Sequence, residues 1–202
     1  VLALGSLFTT PMTARADVAP PERPPGNTIA PTRPTTVVMS SERVVIDVRL
    51  REPDDSTQRG LVDSTSLAAV TAVFTMTNPG ASDERMATRF PLGGENDGFF
   101  GYPLVRLFAV DVNGAPVTHT VTSSASEADG RRMWAQFETL YPAGASTVIS
   151  VSYVLSPTGY YPTASYSYIF ATGAGWDGPI GSAELLVRLP YPVSSANISP
   201  EQ

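Results

Sequence analysis

The sequence predicts an all-β protein, an antiparallel two-sheet sandwich of immunoglobulin-like type with about nine strands. Three observations point there. Apolar and polar residues alternate at period two from Thr36 to Pro192. No window of helical length keeps the i, i+3, i+4, i+7 spacing of a surface helix. Strand-length runs are separated by turn residues such as Asn78-Pro79-Gly80, Asn113-Gly114 and Pro142-Ala143-Gly144, which supply fixed or positive φ where a chain must reverse.

The strands follow in order. In RVVIDVRLR, Val44, Ile46, Val48 and Leu50 point one way, and Arg43, Asp47, Arg49 and Arg51 the other, which is a half-buried strand with one wet face. LAAVTAVFTMT repeats the pattern with Ala72, Phe74 and Met76, and RMATRFPL with Met86, Thr88, Phe90 and Leu92. Asn113-Gly114 favours a type I′ hairpin. It fixes a register with Val112 opposite Ala115, Val110 opposite Val117 and Phe108 opposite His119. Ala128-Asp129-Gly130 then turns the chain into RMWAQFETL. TVISVSYVL places Ile149, Val151, Tyr153 and Leu155 on one face, SYSYIF follows, and SAELLVRL places Ala183, Leu185, Val187 and Leu189 together. A division into two smaller sandwiches near residues 123–130 is the alternative architecture.

The ends differ from this domain, which is expected over residues 37–192. VLALGSLF followed by Ala14-Arg15-Ala16 has the apolar core and small-x-small ending of a secretory signal, so residues 1–16 read as a signal-peptide remnant. The run is too short to span a bilayer. Residues 17–36 contain six prolines in twenty positions and read as an extended linker. Residues 193–202 read as a polar tail or linker. Localisation is therefore expected to be secreted or extracytoplasmic.

Charge and composition exclude several classes. All 13 basic residues are arginine, they are scattered apart from Arg131–Arg132, and the net charge is −6. No basic stripe exists to track a phosphate backbone, so nucleic acid is not an expected partner, and no membrane contact is expected of this segment. There is no cysteine, which removes disulfides, thiol catalysis and cysteine-based metal sites.

Four features invite a chemical reading. Gly173-x-Gly175-x-x-Gly178 has the spacing of a dinucleotide fingerprint, but IGSAELLVRLP after it alternates as a strand, so no helix N-terminus meets a pyrophosphate. The glycines are expected to shape a connection with Trp176 folded over it. His119 is the only histidine and falls across from Phe108 on a valine-rich face, without a nucleophile elbow; a packed ring is expected. Glu95 and Asp97, in GGENDGFFG, are calcium candidates in a glycine-flanked loop, with the acidic Pro53-Asp54-Asp55 a second cluster. Trp176, Tyr160 and Tyr161 are candidate ligand-binding residues, because such rings suit sugars or a protein partner. No cofactor is expected beyond this calcium possibility, and no catalytic residue is assigned.

Met39-x-Ser41-Glu42-x-Val44-x-Ile46 opens the domain, and Phe74, Asn78 and Gly80 follow, then Phe90-Pro91 and Pro142-x-Gly144 before Val151-Ser152-Tyr153. The closing stretch is Tyr168-x-x-x-Thr172-Gly173-Ala174-x-Trp176-x-Gly178-x-Ile180-Gly181. Together these resemble a family of secreted bacterial β-strand domains of unknown function, over about residues 36–190. The resemblance implies the fold and the compartment, with tethering at the cell surface by an anchor or further domain downstream, and brings no catalytic residue. The expected function is thus a non-catalytic extracytoplasmic domain in surface structure or protein or glycan interaction. The alternative is a carboxylate-dependent hydrolase of cell-wall or environmental glycans, which would need two carboxylates at a set separation in a cleft.

Overall fold

The structure is a computed structural model that describes residues 29–50, 66–94, 105–126, 130–155, 157, 166, 168 and 175–193. It contains no helix among these residues. Ten strands run in chain order among the described residues: β1 (Ala30–Pro31), β2 (Val38–Leu50), β3 (Ser66–Thr77), β4 (Glu84–Gly94), β5 (Val105–Val112), β6 (Ala115–Pro116), β7 (Thr120–Ser126), β8 (Gly130–Tyr141), β9 (Ser146–Leu155) and β10 (Ala183–Arg188). They form a four-stranded sheet in the order β1-β4-β8-β7 and a six-stranded sheet in the order β10-β2-β3-β9-β5-β6.

Alternation explains the core. Ala72, Phe74 and Met76 of β3 and Ile149, Val151, Tyr153 and Leu155 of β9 are all buried, as period two on a half-wet strand requires. The two sheets meet through aromatic rings: Phe90 of β4 lies 5.1 Å from Phe108 of β5 and 5.2 Å from Tyr153 of β9. The hairpin register holds as well. Val112 pairs with Ala115, Val117 N donates to Val110 O, and the Phe108 and His119 rings pack edge to face at 5.0 Å. Asn113 and Gly114 have φ of 51° and 78°, the left-handed pair that a type I′ turn needs.

Asn78 does more than punctuate a turn. It is fully buried. Its Nδ2 donates to Ser82 O and Tyr141 O, and its Oδ1 accepts from Gly80 N. One side chain thereby satisfies backbone groups of two turns that would otherwise be buried unpaired.

The proline-rich stretch ends inside the fold. Ile29 is buried, and Ala30 and Pro31 pair with Arg89 and Thr88 of β4. Thr35 and Thr36 then donate their hydroxyls to the Glu84 carboxylate at 2.7 and 2.6 Å. These bonds hold Glu84 below the usual carboxylate range, because they favour the charged form.

Two expectations need correction. The six-stranded sheet is mixed, because β10 runs parallel to β2 while every other pairing is antiparallel. The chain lands beside the start of β2 and must then run in its direction. In addition, β10 is not a half-buried strand: Leu185 is 46% and Val187 44% exposed. β10 lies at the edge of its sheet, where these side chains are left without full cover. Residues 1–16 and 51–65, the acidic Glu95 and Asp97, the Tyr160–Tyr161 pair and Phe170 lie outside the described residues.

Candidate functional site

The two ends of the domain that carry the sequence motifs meet on β2. Asp177 N donates to Val37 O at 2.9 Å, Gly181 N to Met39 O at 3.0 Å, and Glu42 N to Ser182 O at 2.8 Å. The closing stretch is thus stitched to the opening strand and continues directly into the β10–β2 ladder. Its glycines have local reasons. Gly175 and Gly178 sit at φ of 95° and 74°, where a side chain is strained. Gly181 lies against β2 so closely that a Cβ would stand 2.4 Å from Ser40 O. The strand after the glycines excludes the dinucleotide geometry, as its sequence indicated.

Trp176 is the peg of this connection. Its ring is 5% exposed and meets Tyr141 edge to face at 5.7 Å. Its Nε1 donates to Ile29 O at 3.0 Å, which gives the buried indole N–H a partner. Trp176 therefore ties three places together: the residue before β1, the end of β8 and the closing stretch.

Beneath the seam lies a carboxyl that the sequence analysis did not single out. β2 pairs with β3 as Met39 opposite Met76, then Ser41 opposite Thr75 and Glu42 opposite Phe74. Ser40 is the extra residue of a β-bulge. A bulge shifts the alternation by one, so Met39 and the later Glu42, Val44 and Ile46 all face inward. Glu42 is 1% exposed. Its Oε1 accepts a hydrogen bond from Tyr168 Oη at 2.5 Å, and its Oε2 has no partner among the described residues. Burial pushes its pKa up to about 7, with the Tyr168 bond opposing. Burial also raises the Tyr153 and Tyr168 phenols, and the Glu42 charge adds to both. One signal was present in the sequence: Glu42 is in phase with Val44 and Ile46.

The cluster can hold a proton in the core: Glu42 is buried, while its partner Tyr168 is half-buried. No group of three or more His, Asp or Glu among the described residues is arranged to hold a metal ion. No helix among them is long and apolar enough to cross a membrane. His119 packs on Phe108 and takes no part in the cluster.

No protein-family model matches the chain, and no curated protein matches it. Solved structures do. A protein of Legionella pneumophila subsp. pneumophila str. Philadelphia 1, described as a candidate nutrient binding protein, is 21% identical, with a TM-score of 0.60. The match covers 76% of this chain and 50% of that one, so this chain spans half its length. At that identity the likeness shows the fold alone. An M1 zinc metallopeptidase of Deinococcus radiodurans is 12% identical over 76% of this chain and 32% of its own, with a TM-score of 0.37.

Proposed function

We propose that the chain is a non-catalytic extracytoplasmic β-sandwich of immunoglobulin-like type, belonging to the secreted bacterial domain family its motifs resemble. Its role is contact with protein or glycan at the cell surface. One observation carries the reading. The residues with the strongest chemical look, the glycine-rich closing stretch with Trp176 and the Glu42–Tyr168 pair, are spent on holding the opening strand. The shared fold of the Legionella protein supports a binding role without naming a ligand.

The hydrolase reading has a single feature in its favour: a carboxyl with its pKa near neutrality, which is how a general acid is tuned. Against it, a general acid must reach the atom it protonates, and Glu42 is sealed under β-structure. Co-sedimentation with insoluble cell-wall glycan and a glycan array, run beside a hydrolysis assay on the same polymers, test the proposal. Binding without turnover is expected. Hydrolysis that Glu42→Gln abolishes in a folded protein overturns the non-catalytic assignment.

A further inference from the structure

β10 is an edge strand with an apolar side and no covering layer. Leu185 and Val187 pair in register with Val44 and Ile46, so they continue the core row of β2, yet they stay exposed where Val44 and Ile46 are buried. Among the described residues no strand lies on the other edge of β10. Ala183–Arg188 contains none of the prolines or bulges that blunt exposed edges.

The open edge has a definite hydrogen-bonding phase. The bond from Glu42 N to Ser182 O turns the even-numbered backbone groups toward β2. In a parallel ladder with Ala183 opposite Glu42, residues 183, 185 and 187 then direct their N–H and C=O groups outward.

We propose that a second copy of this chain pairs with β10, antiparallel and centred on Leu186, to join two six-stranded sheets across a two-fold axis. A two-fold axis normal to the sheet keeps both apolar sides on one face. That restricts the register to those centred on a residue. Centring on Leu186 sets Leu185 opposite Val187 of the second copy, as mutually hydrogen-bonded pairs. It also sets Glu184 opposite Arg188. Centring on Leu185 sets Glu184 against Leu186, and centring on Val187 sets Leu186 against Arg188, so neither matches the charges.

The neighbouring strand completes the pattern. Glu184 already pairs with Arg43 at 2.9 Å, and Arg188 is in register with Asp47. Across the joined sheets the row reads Arg43, Glu184, Arg188 of the second copy, Asp47 of the second copy, with the sign alternating at every step. In a chain of net charge −6, general repulsion opposes self-association, so local complementarity of this kind selects the site. The inference does not depend on the ligand class proposed above.

Sedimentation velocity of the 202-residue chain at about 100 µM, with Arg188→Glu, Glu184→Arg and an equimolar mixture of the two variants, tests it. The unmodified chain is expected to run as a dimer. Each variant faces two like-charge pairs and is expected to dimerise about tenfold more weakly or worse. The mixture restores both opposite-charge pairs and should regain the dimer. Both side chains are exposed, and far-UV circular dichroism checks that each variant folds. A monomeric unmodified chain overturns the proposal and leaves the edge to another partner. Variants that remain dimeric place the interface elsewhere, and a mixture that stays monomeric overturns the register.

Discussion

Two successive parts of the closing stretch behave in opposite ways. The stretch 175–182 is rich in glycine and poor in apolar residues, yet it is anchored in the core by Trp176 and by backbone bonds to Val37, Met39 and Glu42. β10, from SAELLVRL, reads as a good amphipathic strand, yet Leu185 and Val187 are both exposed. Both lie beside the same strand, β2. What separates them is what each side chain meets: Trp176 packs on Tyr141 at the end of β8, while Leu185 and Val187 of β10 stay nearly half exposed. Alternation shows which side chains share a face, and only the opposite layer decides whether that face is dry.

Trp176→Ala should widen the contrast most. Removing a buried ring that packs on Tyr141 leaves a cavity and an unpaired Ile29 carbonyl, and the loss should be about 3–5 kcal/mol in urea denaturation. A retained midpoint would mean that the first part is no better anchored than the second.

Glu42 gives the next effect, through pH. Its carboxyl ionises near 4.5 when unfolded and near 7 in the fold. Between those values the folded state holds a proton that the unfolded chain has lost. The stabilisation is full below about 4.5 and is lost as pH rises through about 7. The full change is about 3 kcal/mol. Glu42→Gln keeps an acceptor for Tyr168 and should flatten this slope; an unchanged slope would assign it to another group. Glu84 acts in the opposite sense and at lower pH, since its lowered pKa makes its contribution fade as the solution becomes acidic.

Gly181→Ala should cost about 1–3 kcal/mol, because its methyl would meet Ser40 O and push the stretch from β2. The smallest effect belongs to the second part. Leu185→Ser, measured at protein concentrations low enough to keep chains apart, should change stability by less than about 0.5 kcal/mol. A larger loss would show that this face is covered.

Most of the fold was legible because one face of each central strand is dry. The inward residues of β3, β4 and β9 were identifiable from period two alone, and Asn113-Gly114 carried its own register. Four things were not. The parallel pairing of β10 depends on where a glycine-rich connection lands, which involves contacts between residues far apart in sequence. The bulge at Ser40 resets the phase of β2, and no local composition marks it. Glu42 then reads as one more strand charge, although its phase with Val44 placed it inside. Its partner Tyr168 lies 126 positions away, beyond any spacing rule. Asn78 likewise resembles a turn former, and its role as a buried clip appears only once Tyr141 is beside it.

Amide hydrogen exchange across residues 175–188 tests most directly whether the closing stretch is architecture. The amides of Asp177 and Gly181, which donate to Val37 and Met39, should exchange as slowly as those of β2 and β3, and Trp176→Ala should release them together. Exchange of these two amides at the rate of an open loop, in a protein whose β3 amides stay protected, would contradict the account.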